Sequence, residues 1–251
     1  MNENYNQVLY QEEDPKAYIE DYWTKRSEGF ASLRKNELHS DKYQRWEKEI
    51  LTQLPTGDNL KILDIGCGAG FFSIILAKHG HQVVGIDLTE SMIADAKILA
   101  AEEGVKPTFC TMDAENLDFD DESFDVVISR NLTWTLPHPR DAYREWMRVL
   151  KKDGVMLNYD AEYAKDQKTS KLSGRHAHDD ISKELMNQCN KIYHMLDISE
   201  KHRPEWDRLI LMQMEVSECE VNPNVGQDIY KEKDMFYIPV PMFRIRAVKR
   251  G

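Results

Sequence analysis

The sequence predicts an α/β fold, a mostly parallel sheet wound with crossover helices, and three observations carry that prediction. Between residues 60 and 160 short apolar runs alternate with helical patterns. The first run ends in a bend with three alternate glycines, Gly66, Gly68 and Gly70, that passes directly into a helical pattern. A last alternating run at 242–248 supplies one more strand after a break in the rhythm.

The elements follow in order. Asp14 before Pro15 is an N-cap and first-turn pair, and Tyr18, Tyr22, Trp23 and Arg26 then form a stripe on one helix. A second helix starts at Ser40, where Tyr43, Trp46, Ile50, Leu51 and Leu54 recur at helical spacing, and stops at Pro55-Thr56-Gly57. Strands are expected at 61–65, 82–87, 108–112, 124–130 and 155–160. Helices between them run from Phe71 to the stop at Gly80, from Thr89 through Met92, Ile93, Ala96, Leu99 and Ala100, and from Pro139 through Tyr143, Trp146, Met147 and Leu150. The helical pattern between the third and fourth strands is weak. Residues 161–202 break the alternation with a polar stretch and then an amphipathic helix on Ile181, Leu185, Cys189, Ile192 and Leu196, which reads as an inserted cap. A helix near 204–214 and an extended run near 215–221 lead back to the sheet.

At 251 residues the chain suits one large domain with attachments and buries enough surface to need no disulfides. Its 33 basic and 44 acidic residues give a net charge of −11, which argues against nucleic acid as a partner, since no excess of cations is present to displace phosphate counterions. No apolar run approaches the roughly 20 residues of a membrane span. Residues 1–16 are polar and acidic, unlike a secretory signal, so the chain is expected in the cytoplasm. Cys67, Cys110, Cys189 and Cys219 lack C-x-x-C spacing and read as reduced thiols.

The chemistry concentrates in Leu63-Asp64-Ile65-Gly66-Cys67-Gly68-Ala69-Gly70. Glycines let the backbone turn and approach a ligand, and the helix that follows offers unpaired N–H groups. Phe71 stands where a dinucleotide fingerprint places its third glycine, and Asp64 would repel a pyrophosphate but suits an ammonium group. Asp87 ends the second strand, where a carboxylate can accept both hydroxyls of a ribose. Asp113-Ala114 ends the third, where an acceptor and a backbone N–H can read an adenine edge. Cation, ribose and adenine together describe S-adenosylmethionine.

Through Ile62–Gly70, Val84-Gly85-Ile86-Asp87, Asp113-Ala114-Glu115-Asn116-Leu117, Ser123-Phe124-Asp125-Val126-Val127, and Arg148-Val149-Leu150-Lys151 with Gly154, the sequence resembles the class I S-adenosylmethionine-dependent methyltransferases, in particular the small-molecule group that includes the ubiquinone and menaquinone enzymes. The resemblance implies a Rossmann-like, doubly wound sheet of seven strands, mostly parallel, with the last strand antiparallel. It also implies that Gly66, Gly68 and Gly70 wrap the amino-acid part of the cofactor, Asp87 takes the ribose, Asp113 and Ala114 the adenine edge, and Met92 the adenine face, with Asp64, Cys67, Leu88 and Arg130 in the same site. Arg26, on an N-terminal helical lid (1–56), would pair the cofactor's carboxylate. The core would be 57–160 with 203–251, and the cap 161–202 would form the opposite wall or a homodimer interface.

The stretch after the fourth strand, Ser129 to Pro139, is where related enzymes build the acceptor pocket. It lacks the Asn-Pro-Pro-aromatic and Pro-Cys motifs of amino-group and cytosine enzymes, which disfavours those two substrate classes, and the resemblance implies a small-molecule acceptor. Tyr18, Tyr22, Trp134 and Tyr159 are candidate acceptor contacts and His138 a candidate general base. No catalytic residue is otherwise assigned, because in-line methyl transfer rests mainly on alignment. His176-Ala177-His178-Asp179-Asp180 has metal-ligand composition but reads as a solvated loop, so no metal is expected. Two other classes stay open: a binding protein with the same pocket and no turnover, and a nicotinamide-dependent oxidoreductase, which Phe71 and Asp64 disfavour.

Overall fold

A computed structural model describes residues 14–164, 181–237 and 239–251. The polar stretch with His176 and His178 lies outside the described residues. Helices α1 (Pro15–Leu38) and α2 (Asp41–Gln53) precede a core in which β1 (Lys61–Ile65), α3 (Phe71–Lys78), β2 (Gln82–Asp87), α4 (Glu90–Glu102) and β3 (Thr108–Thr111) alternate. Then come β4 (Phe124–Arg130), a 3-10 turn at Thr133–Thr135, α5 (Pro139–Val149) and β5 (Leu150–Ala161). The chain continues through α6 (Lys183–Met195), α7 (Glu205–Met212), β6 (Val216–Asn222), α8 (Val225–Ile229) and β7 (Met242–Lys249). The sheet order is β3-β2-β1-β4-β5-β7-β6, with β7 antiparallel to β5 and β6 and the other pairs parallel. The expected seven-stranded sheet with its antiparallel last strand is therefore present.

Both faces of the sheet are covered, which is why the central strands are apolar almost throughout. Side chains alternate in direction along a strand, so Ile62, Val126, Ile128 and Leu157 pack toward α2, α3 and α4. Leu63, Ile65, Val127 and Met156 pack toward α5 and α7. Local chemistry sets the helix starts: Asp14 accepts from the Lys16 N–H, the Ser40 side chain from the Lys42 N–H, and Ser182 from the Leu185 N–H.

The structure adjusts several elements. β5 begins at Leu150, directly after α5, because Leu150 pairs with Phe124 ahead of a register shift; the polar run Lys151-Lys152-Asp153 hides that start in the sequence. The chain passes from β3 to β4 without a helix, and the five-residue α8 has no periodic signature. Helix α2 packs firmly on the sheet layer: Trp46 and Ile50 are wholly buried, and Trp46 packs edge-on against Phe72 and Tyr159.

A third, smaller apolar cluster joins Ile19 and Tyr22 of α1, Trp134 of the 3-10 turn, and Ile192 and Leu196 of the cap. It sits over the carboxyl ends of the parallel strands, where open α/β sheets bind ligands.

Candidate functional site

The main cleft lies between those strand ends and α1. It encloses about 1280 Å³ of space, its open mouth included. The floor comes from Gly66 and Gly68 after β1, Asp87 and Leu88 after β2, Asp113 and Ala114 after β3, and Arg130 at the end of β4. Met92 of α4 closes one side, and Tyr22, Arg26 and Trp134 line the roof and far end. One cleft thus brings together eleven of the residues singled out from sequence.

The bend is built by left-handed backbone at Gly66, Gly68 and Gly70, with φ of +65°, +51° and +83°. Side chains are excluded there for a second reason: a Cβ on Gly66 would fall 2.8 Å from Leu132, and one on Gly68 2.8 Å from Phe30 of α1. Asp87 holds the bend, its Oδ2 accepting from the Gly68 N–H and its Oδ1 from the Thr89 N–H, both at 2.9 Å. Burial raises its carboxyl above the usual range, and these two N–H donors pull it back. Each oxygen keeps a lone pair for a further donor.

Asp113 accepts from the Glu115 N–H through Oδ1, at 2.9 Å, and from Lys16 Nζ through Oδ2, at 2.5 Å. Lys16 also meets Glu115 at 2.6 Å, so the first turn of α1 is tied to the tip of β3. Lys16 was not singled out from sequence, because its partner lies far along the chain.

A recess adjoins the cleft beside the bend, lined by Arg34, Asp64, Gly66, Cys67 and Arg130. Asp64 is 2% exposed, accepts from the Ser73 N–H and Oγ at 3.0 and 2.6 Å, and is pushed up by burial to about 7. Arg130 grips Glu37 with both terminal nitrogens, at 2.9 and 3.2 Å, and Arg34 pairs the same carboxylate. Tyr230 and Trp46 donate to Glu37 as well. Two guanidinium groups share one carboxylate, and the Nε of each is buried without a hydrogen-bond partner. Arg34 and Phe30 were missed in the sequence although Arg26, Phe30 and Arg34 continue the α1 stripe at four-residue steps.

Other expected residues fall elsewhere. Tyr159 is a core side chain, wholly buried, whose hydroxyl meets Glu49; it shares strand parity with Val155 and Leu157 and points to α2 rather than to the cleft. Tyr18 stands outside the cleft lining, its ring under Lys191. His138 keeps 66% of its side chain exposed, contacts Glu115 and is not among the residues that line the cleft. Gly70 caps α3, and Cys67 is buried in the recess. Arg26 reaches the cleft, but its neighbours are Tyr22 and Cys189 rather than the glycine bend.

The far end is aromatic. Trp134 meets Trp23 at 6.3 Å, Tyr163 at 5.4 Å and Tyr193 at 5.0 Å between ring centres, and Tyr22 packs edge-on against Trp23 at 5.1 Å. Trp134 is fixed through its Nε1, which donates to the Asn131 carbonyl at 2.9 Å, and through its backbone N–H, which donates to buried Asp160. Tyr193 lies one turn beyond Cys189 on the cap helix; nothing local in the sequence announces Tyr163. Among the described residues no group of three or more His, Cys, Asp or Glu could hold a metal ion.

Residues 63–158 match a family model described as a methyltransferase domain. YcgJ of Bacillus subtilis, described as an uncharacterized methyltransferase, is 31% identical over 150 residues, 59% of this chain and 54% of YcgJ. Its crystal structure aligns over 83% of this chain and 99% of that one with a TM-score of 0.56 and 22% identity. A ubiquinone biosynthesis O-methyltransferase of Coxiella burnetii is 34% identical over 96 residues, 38% of this chain and 41% of that protein. Phosphoethanolamine N-methyltransferase 2 of Haemonchus contortus, solved with S-adenosyl-L-methionine, shares the fold with a TM-score of 0.58 at 19% identity, over 82% of this chain and 52% of that one. The chain spans about half the length of the curated relatives it matches.

Proposed function

We propose that this chain, whose residues 63–158 match a methyltransferase-domain family model, belongs to the class I S-adenosylmethionine-dependent methyltransferases and transfers a methyl group from that cofactor to a small-molecule acceptor. The observation that carries the reading is a single cleft that runs from the Asp113 and Asp87 strand tips, past the glycine bend, to an aromatic enclosure under α1.

The residues fit the cofactor. Asp87 retains one lone pair on each oxygen for the ribose hydroxyls. Asp113 and the Ala114 N–H suit the adenine edge, with Met92 and Leu88 beside the ring. In the adjoining recess, Asp64 and the unpartnered Nε atoms of Arg34 and Arg130 offer both signs of charge to an amino-acid end. When bound, the cofactor supplies a methyl group already activated by its sulfonium. The chain's own contribution is then to orient the acceptor and exclude water, and alignment alone is worth on the order of 7–11 kcal/mol. Helix α1 and the cap make the enclosure, and Trp134 offers a ring face within it.

No helix of the described residues is long and apolar enough to cross a membrane. The four cysteines are free thiols, which supports a cytoplasmic setting. Helix α6 reads as part of a cap rather than a homodimer interface, since it turns its apolar side to α1. Phe71, 3% exposed in the core at the position a dinucleotide site gives to glycine, speaks against a nicotinamide cofactor. Incubation with methyl-labelled S-adenosylmethionine and a panel of small acceptors tests the reading. Label in a low-molecular-weight product supports transfer, whereas cofactor binding with no product from any acceptor favours a binding protein.

A further inference from the structure

We propose that the acceptor is a planar aromatic anion, an arene bearing a carboxylate or an ionised hydroxyl, held between α1 and α6 with its charge against Arg26. This rests on the methyl-transfer reading and adds the acceptor's chemical class. Charge is the first support. Of the four cations that line the cleft, Lys16 is paired by Asp113 and Glu115, while Arg34 and Arg130 share Glu37 and keep one positive charge in excess beside the recess. Among the described residues Arg26 has no carboxylate partner, and its Nε is buried without a hydrogen bond. A guanidinium at the aromatic end of the cleft, with no carboxylate partner among the described residues, suits an anion.

The cofactor's own carboxylate is not the best candidate for that anion. The recess beside Gly66 already presents Arg34 and Arg130, and Arg26 does not line it. Arg26 instead lies by the Tyr22 hydroxyl and the Cys189 thiol, at the end of the cleft closed by α6.

Shape is the second support. Trp23, Tyr163 and Tyr193 each pack edge-on or tilted against Trp134, and all four rings line the cleft, so this end is walled by aromatic surface that suits an arene. The carboxylates of the cleft lining among the described residues are Asp87 and Asp113, both at strand tips on the adenosyl side. An ammonium acceptor at the aromatic end would therefore meet Arg26 without a matching charge.

The test uses protein saturated with S-adenosylhomocysteine and three probes of one ring size, benzoate, benzamide and benzylamine, followed by calorimetry. Benzoate should bind at least about tenfold tighter than the other two. Arg26→Gln should remove that preference while S-adenosylhomocysteine affinity stays within about twofold, and Arg26→Lys should restore part of it. Benzylamine binding as tightly as benzoate would overturn the proposal. So would an Arg26→Gln variant that loses S-adenosylhomocysteine affinity and keeps the probe order, since the guanidinium would then serve the cofactor. Absence of all probe binding to a protein that takes S-adenosylhomocysteine counts against the acceptor class alone, and failure to bind S-adenosylhomocysteine counts against the methyl-transfer reading beneath it.

Discussion

Lys16 Nζ sits 2.5 Å from Asp113 Oδ2, so the start of α1 is fastened to the same carboxylate that suits an adenine edge. Both side chains are about one-third exposed, which limits the pair's worth to folding to about 1 kcal/mol or less. Its consequence is for access. Lys16→Met should speed release of S-adenosylhomocysteine several-fold and abolish most of the salt dependence of that release, with little change in melting temperature. Stopped-flow displacement at two ionic strengths checks this; release unchanged at both would remove the latch.

Gly68 combines a left-handed φ with a neighbour too close for a Cβ. Gly68→Ala should destabilise the fold by about 1–3 kcal/mol and weaken cofactor binding. Adding Phe30→Leu should recover the steric part only. Chemical denaturation of the single and double variants separates the two contributions, and full recovery in the double variant would show that backbone strain is absent.

Burial holds the Asp64 carboxyl up at about 7 against an ordinary 3.8. Between those values the folded chain keeps a proton that the unfolded chain has released, so the Asp64 contribution to stability falls as pH rises through that window and is fully lost above it. Asp64→Asn removes this dependence. The melting temperature of Asp64→Asn relative to the parent should therefore climb between about pH 4 and about pH 7 and level off above that, and a difference flat throughout would contradict the burial argument.

Arg203, nearly inaccessible, bridges Asp160 at 3.1 Å and Asp207 at 2.8 Å. Asp160 in turn accepts from Thr133 and from the Trp134 N–H, so the pair of charges anchors the turn that carries Trp134. Arg203→Met leaves two buried carboxylates unmatched and should cost about 3–5 kcal/mol. Asp160→Asn is the milder variant, expected to shift Trp134 fluorescence while the fold survives; an unshifted spectrum would detach the network from the turn.

The sheet was legible in the sequence because strands buried on both faces must be apolar and must alternate with helices, and the strand-tip acids could be placed because each ends an apolar run. What escaped depended on distance along the chain or on short length. Glu37 meets Arg130 across 93 positions, and Lys16 meets Asp113 across 97, separations that no local pattern records. Tyr159 was misjudged although strand parity groups it with Leu157 and Val155. Arg34 and Phe30 lay within reach, since the α1 stripe continues past Arg26 at the same spacing.

The most direct measurement is calorimetric titration of the folded protein with S-adenosylhomocysteine and, separately, with NADH. The account predicts saturable heat with the first, none with the second, and a loss of about tenfold or more in affinity for Asp87→Asn, whose amide accepts from fewer donors than the carboxylate. No heat with S-adenosylhomocysteine alongside tight binding of NADH would contradict it.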